Sequence, residues 1–188
     1  MQNNQKRKKF LFYNSIMLVS LAFSLAFGLN ACKPKSEPKS EEIALPFETI
    51  EQDVYAGDTG ILYDSHEPGM VIISRLEEID NLDGMVNKAG LRQLQALDYS
   101  QYFSLAAFQG KKGSTGYDIQ VNHIGRIGNT VNVYAQLHEP PPDKPVGAME
   151  TSPYHLVKVQ KTGSWGQDIT FNLFSGETLV ASLSHTIP

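Results

Sequence analysis

Tyr117-Asp118-Ile119-Gln120-Val121-Asn122-His123 and, after a polar break, Val131-Asn132-Val133-Tyr134-Ala135-Gln136-Leu137 carry period-two patterning. Successive side chains of an extended chain point to opposite faces, so such a pattern marks strands with one face on a core. A turn at Arg126-Ile127-Gly128 predicts an antiparallel hairpin. It pairs 117 with 137, 119 with 135, 121 with 133 and 123 with 131, with both apolar rows on one face. His123 then sits in the apolar row, as a packed and hydrogen-bonded residue, and His138 lies on the opposite parity at the far end.

The flanking sequence extends the same reading. Tyr102 to Phe108 is apolar at both parities, which suits a central strand covered on two faces. Gly110 to Ser114 reads as a turn. Met70-Val71-Ile72-Ile73 reads as a buried strand, Phe47 to Tyr55 as an extended segment, Ile61-Leu62-Tyr63 as a short apolar run, and Gly57-Asp58-Thr59-Gly60 and His66-Glu67-Pro68-Gly69 as turns. Residues 74–97 have helical spacing in two pieces broken at Asp83-Gly84. Ser74 and Glu77 are spaced as a capping box for the first piece. Downstream, Pro140-Pro141-Pro142-Asp143-Lys144-Pro145 is stiff and extended and begins an excursion to Ser152. Tyr154 to Gln160 is a strand and Thr162 to Gly166 a loop. Ile169, Phe171 and Leu173 with Leu179, Ala181 and Leu183 form a last hairpin around Ser175-Gly176-Glu177. The fold expected is α+β leaning to all-β: a compact, mostly antiparallel β domain with a short helical segment around 75–97.

The N-terminal end has a different character. Lys6-Arg7-Lys8-Lys9 precedes an apolar stretch from Phe10 to Leu29, the pattern of an export signal. The stretch closes on Leu29-Asn30-Ala31-Cys32, which resembles a bacterial lipobox, with Asn30 in place of the usual small residue. Cys32 is the one cysteine of the chain. The resemblance implies a signal peptide over 1–31 and, on Cys32, a diacylglyceryl thioether with palmitate-class acyl chains. Each buried methylene adds about 0.8 kcal/mol of membrane affinity, so two or three chains anchor stably. Residues 32–45 are charged and carry Pro34 and Pro38, the composition of a disordered tether. A single globular domain is expected over 46–188. Localisation follows: exported and lipid-anchored in the cell envelope of a bacterium, at the inner membrane, the outer membrane or the surface.

Composition narrows the function. The chain has 188 residues, 16 Lys+Arg and 20 Asp+Glu. Four of the bases lie in the leader, so the remainder is more acidic still and disfavours nucleic acid. A lone cysteine excludes a disulfide framework and any multi-cysteine metal site. His66, His123, His138, His155 and His185 show no paired ligand spacing. Gly163-Ser164-Trp165-Gly166 lacks the spacing of a nucleophile elbow. Gly110-Lys111-Lys112-Gly113-Ser114-Thr115 superficially suggests a phosphate loop, but a strand rather than a helix follows. The expectation is a non-enzyme with no catalytic residue, metal or cofactor.

Three stretches in order carry a family likeness: Asp98 to Gly110, then Ser114-Thr115-Gly116-Tyr117-Asp118-Ile119, then Thr151-Ser152-Pro153-Tyr154-His155-Leu156-Val157-Lys158. Together they resemble the C-terminal domain of PrcB-type proteins, a family named after a lipoprotein subunit of a surface protease complex. The likeness spans roughly 98–160, with weaker echoes from Met70, placing a PrcB-like core at about 70–160 and a C-terminal hairpin at 168–185. This chain has one glycine, Gly116, where the family often has two. The resemblance implies a membrane-anchored, non-catalytic protein-binding subunit that stabilises or assembles a protease. Thr115, Gly116, Tyr117, Pro153, Tyr154 and His155 carry the likeness, either as partner-facing residues or structurally. Structurally, Gly116 would serve a backbone constraint, Tyr117 core packing and Pro153 strand entry. The alternative reading is a small-ligand-binding lipoprotein module with an apolar pocket, motivated by the apolar hairpin face and the aromatics.

Overall fold

The chain's computed structural model describes residues 41–54 and 62–188. The leader 1–31, Cys32, the tether as far as residue 40, the turn Gly57–Gly60 and Ile61 lie outside the described residues. Strands β1 (Ile43–Ala44), β5 (Asp118–Ile127), β6 (Thr130–His138), β8 (Gln167–Ser175) and β9 (Thr178–Ile187) build one sheet in the order β1-β5-β6-β8-β9. Strands β2 (Phe47–Asp53), β7 (Tyr154–Gln160), β4 (Tyr102–Phe108) and β3 (Gly69–Ile73) build a second, in the order β2-β7-β4-β3. All neighbours are antiparallel except β6 and β8, which run parallel from Thr130↔Thr170 to Ala135↔Ser175.

Alternation along the strands makes three layers. Phe103, Leu105 and Ala107 of β4 face Ile119, Val121, Ile124, Val131, Val133, Phe171 and Leu173, filling the space between the sheets. Ala106 and Phe108 point the other way, with Leu156 and Tyr154 of β7, against Ile79, Leu82, Val86 and Leu94 of the helical segment. This double covering explains why β4 is apolar at both parities, and burying each large side chain stabilises by roughly 1.5–3 kcal/mol.

The helical segment has two pieces, as its spacing predicts, but the first is a 3-10 helix, Leu76–Leu82, and only the second, Lys88–Gln95, is α-helical (α1). The Ser74–Glu77 capping box does not form. Arg75 occupies the cap position, and Glu78 instead accepts the Ser74 N–H at 2.7 Å. Gly90 lets α1 approach the sheet. A Cβ there would stand 2.6 Å from Glu51 Oε2 and 3.0 Å from Leu156 Cδ2.

The hairpin β5–β6 exists with a register different from the expected one. Gly128-Asn129 makes the turn, closing Ile127↔Thr130, with Gly128 at φ +57°. The pairs are Ile119↔Leu137 and Val121↔Ala135, and a bulge at Asn122 then gives His123↔Tyr134 and Ile124↔Val133. Continued alternation would bury His123 and expose Ile124. The extra residue reverses both, so Ile124 is fully buried and His123 lies exposed beside Tyr134. His123 is therefore no core residue. Leu62 and Tyr63 form no strand. The last hairpin turns at Gly176-Glu177, as its sequence predicts.

Candidate functional site

Val121 and Ile119 lie where β5 extends past the two residues of β1, so that stretch of its edge has no strand neighbour among the described residues. Side chains of the other sheet take its place. Val121 N–H donates to His155 Nδ1 at 2.8 Å, which leaves the ring proton on Nε2, donating to Thr49 Oγ1 at 2.8 Å. Gln52 Nε2 donates to the Ile119 carbonyl at 3.0 Å and to the Asp118 carboxylate at 3.0 and 3.1 Å. Leu45 N–H donates to the Ile124 carbonyl at 2.8 Å and its side chain is buried, so residues 43–45, expected as the end of a disordered tether, instead belong to the sheet, where backbone pairing and an apolar contact order them. His155 thus joins the two sheets. Burial holds its pKa below the ordinary imidazole value, with Asp118 pulling weakly the other way.

The neighbouring residue faces the opposite layer. The Tyr154 hydroxyl donates to Glu51 Oε2 at 2.9 Å and accepts the Asn87 N–H, just ahead of α1, at 3.0 Å. Burial, reinforced by the Glu51 and Asp53 carboxylates and opposed by the Asn87 N–H, raises its pKa far above the phenolic value. Pro153 is buried too, and its carbonyl accepts the Gln109 N–H at 2.9 Å. Pro153, Tyr154 and His155 are interior residues.

Thr115 and Gly116 instead meet the proline-rich loop, residues 139–153. Thr115 N–H donates to the Gly147 carbonyl at 3.0 Å, and Gly147 N–H donates to Thr115 Oγ1 at 2.9 Å. Gly116 has φ +99°, and a Cβ there would stand 3.0 Å from both Pro140 Cβ and Val146 Cγ1. The two-way bridge of Lys112 and Thr151 and the Thr151 Oγ1 bond to the Ser114 carbonyl hold the returning end. The loop is therefore pinned while its crest stays in solvent, with Val146 40% and Met149 48% exposed. Tyr117 is half-buried under the Lys112 ammonium, 5.5 Å from the ring centroid, and not in the core that its apolar parity suggests.

A Ser–His–acid group, invisible in the sequence because His185 lies over a hundred residues from Ser74 and Glu78, forms where β3 exits against β9. His185 Nε2 lies 3.0 Å from Ser74 Oγ and 3.2 Å from Glu78 Oε2. Ser74 Oγ itself donates to Glu78 Oε2 at 3.1 Å and is fully buried. A nucleophile relay needs an exposed hydroxyl on one imidazole nitrogen and the acid on the other. Here one nitrogen meets both, so the group clasps β9 to the start of the helical segment. Burial opposes ionisation of Glu78, but Ser74, His185 and Arg75 outweigh it and hold its pKa low.

Among the described residues, two open grooves lie at the surface. One, about 320 Å³, lies between β2 and α1 beside Glu48, Gln93, Asp98 and Lys158. The other, about 400 Å³, lies on the five-stranded sheet beside Asn122, Tyr134, Gln136 and Ser175. Among the described residues no three His, Cys, Asp or Glu side chains are grouped to hold a metal ion, and no helix is long and apolar enough to cross a membrane.

Residues 104–160 match the PrcB C-terminal family model. The matched stretch runs from within β4 to the end of β7, so it includes two strands of each sheet, the His155 junction and the whole proline-rich loop. No curated protein and no solved structure matches the chain.

Proposed function

With residues 104–160 of the PrcB C-terminal type, we propose that this protein is a lipid-anchored envelope subunit that binds another protein through its proline-rich loop and supports a protease complex without doing chemistry itself. The observation that carries the reading is the pinned loop. Its prolines stiffen the crest, Thr115 and Thr151 hold its flanks, and Val146 and Met149 are presented to solvent at little ordering cost. Cys32 would hold the domain at the bilayer, and neither a metal nor a cofactor enters the reading. The likeness to a family named for a protease subunit supports the partner class.

The test is co-purification from lightly crosslinked cells using a C-terminal tag. A protease at near-stoichiometric yield is expected. Replacing Val146 and Met149 together by Asp should reduce that yield about tenfold or more, as loss of central apolar anchors does, with the circular dichroism spectrum unchanged. Absence of any stoichiometric protein, or a yield indifferent to both substitutions, would overturn the reading.

A further inference from the structure

We propose that Arg126, set in an otherwise apolar row across the five-stranded sheet, binds the carboxylate of an organic monoacid whose apolar body lies along Ile43. Register defines the row. Arg126 of β5 pairs with Ile43 of β1 on one side and with Val131 of β6 on the other. Val131 pairs with Phe171 of β8, and Phe171 with Leu183 of β9. Residues opposite one another across strands share a face, and this face is turned to the inter-sheet core, which holds Val131 and Phe171. Arg126 is the charged member of that row. It is more than nine-tenths buried, at 8% exposure, whereas Ile43 at the open end of the row is 55% exposed.

Trp165 sets the guanidinium in place. Its loop is tied by the Gly166 N–H, which donates to the Ile187 carbonyl at 2.7 Å. The indole packs on Phe103, with centroids 5.4 Å apart, and the Arg126 Cζ stands 4.0 Å from the Trp165 ring centroid. Such a stack covers a face of the guanidinium and leaves its in-plane N–H groups for hydrogen bonds. A guanidinium has five N–H donors and stays charged in proteins. Nε donates to the Gly128 carbonyl at 2.7 Å, and among the described residues no acceptor meets Nη1 or Nη2. Nor does any described carboxylate stand within 4.0 Å of Arg126. Glu42, beside Ile43 in the chain, lies instead over Gly125, on the opposite face of β5. The Trp165 Nε1–H is also buried without an acceptor.

Charge selects the ligand class. The site has donors in excess and an unneutralised positive charge, in surroundings where an unpaired charge is costly. Burial lowers the Arg126 pKa from its ordinary value, and no carboxylate opposes that shift. The lysines at the end of β7 are engaged elsewhere. Lys158 meets Glu48 at 2.9 Å, and Lys161 donates to the Tyr99 and Pro188 carbonyls at 2.8 Å each. A single guanidinium is matched by a single negative charge. The two oxygens of a carboxylate accept its parallel N–H groups in a fork. A phosphate would bring a second charge to a chain with 16 Lys+Arg and 20 Asp+Glu. Ile43, exposed on the same face, supplies the apolar contact that makes the ligand an organic acid. A free short-chain acid and the C-terminal residue of a peptide share this chemistry, and the test separates them.

Trp165 is the one tryptophan of the chain, so its fluorescence reports this site. Full-length protein in a neutral detergent is titrated with hexanoate, N-acetyl-leucine, acetate, hexanamide and inorganic phosphate. Hexanoate, N-acetyl-leucine or both are expected to change the emission saturably. They should bind about tenfold or more tighter than acetate, because their methylenes add apolar burial. Hexanamide and phosphate should leave the emission unchanged. Tighter N-acetyl-leucine would assign a peptide C-terminus, and tighter hexanoate a free acid. Arg126→Gln should lose the response. Arg126→Lys, which keeps the charge without the fork and serves if Arg126→Gln does not fold, should weaken it about tenfold. Lys144→Gln, a cation on the proline-rich loop, should not change it. No saturable response to either acid, an equal response to hexanamide or phosphate, or binding indifferent to substitution of Arg126 would overturn the proposal. The Val146 and Met149 variant should bind the acid as wild type does, so failure here and failure of the loop reading are told apart.

Discussion

His155 does its work as a neutral ring, accepting a backbone N–H with one nitrogen and donating to Thr49 with the other. Protonation would remove the acceptor and strand the Val121 N–H in the interior. Because the folded pKa lies below the unfolded one, the unfolded chain takes up the proton first as pH falls. The contribution of His155 is therefore complete above about pH 7 and is lost as pH drops through the unfolded value, near 6.5, towards the lower folded one. Urea midpoints should fall between pH 7.5 and 5.5, and should fall less in His155→Ala. That variant should also lose about 2–4 kcal/mol at pH 7.5, since two bonds go and a buried N–H stays unpaired. A pH slope equal to that of the wild type would assign the dependence elsewhere. Glu78, with its pKa held low, keeps its contribution through this window and loses it only in more acid solution.

At the level of elements, α1 is positioned by closeness. In an isolated helix Gly90→Ala would stabilise by about 1 kcal/mol. Here the new methyl meets Glu51 Oε2 at 2.6 Å and Leu156 Cδ2 at 3.0 Å, so the Glu51 carboxylate must move off the Tyr154 hydroxyl, which also accepts the Asn87 N–H, and the buried Leu156 side chain must give way. The variant should unfold at lower temperature than wild type, and amide exchange should quicken at Asn87 and Leu91; a raised melting temperature would show the packing to be slack. This contact could not be read from the sequence, because Glu51 and Gly90 meet only in the fold. Much else was legible where burial follows local period. The β5–β6 pair and the last hairpin follow from alternation, the two-sided β4 from apolarity at both parities, and the two helical pieces from helical spacing. The β5–β6 register did not, because Tyr117, Ile119, Val121 and His123 continue the alternation through the bulge. Gly128-Asn129 is a two-residue turn signal that marks the observed register. Of the six family-motif residues, the sequence showed that they belong together but not that Pro153, Tyr154 and His155 face inward and only Thr115 and Gly116 meet the loop. Burial of both sides of β7 decides that, and it depends on neighbours far away in the chain.

Across the whole molecule, the anchored reading makes a separable prediction. Cys32→Ala should move the protein from the membrane fraction to the soluble exported fraction on cell fractionation, with the folding of β1 to β9 unchanged. Retention in the membrane fraction would rule out the lipid anchor. Topology was the least legible feature at this scale. The parallel pair β6–β8 joins two hairpins that local patterning shows only as separate units, and the intervening strand β7 belongs to the other sheet.

That crossing has a consequence for how the chain withstands proteolysis. The proline-rich crest is the exposed stretch between β6 and β7. A cut between Asp143 and Lys144 would leave β1 to β6 in one fragment and β7 to β9 in the other. The smaller fragment would still hold the place between β2 and β4 in one sheet and the place beside β6 in the other. Neither piece could leave without unzipping both sheets, so a nicked domain would stay folded as two chains.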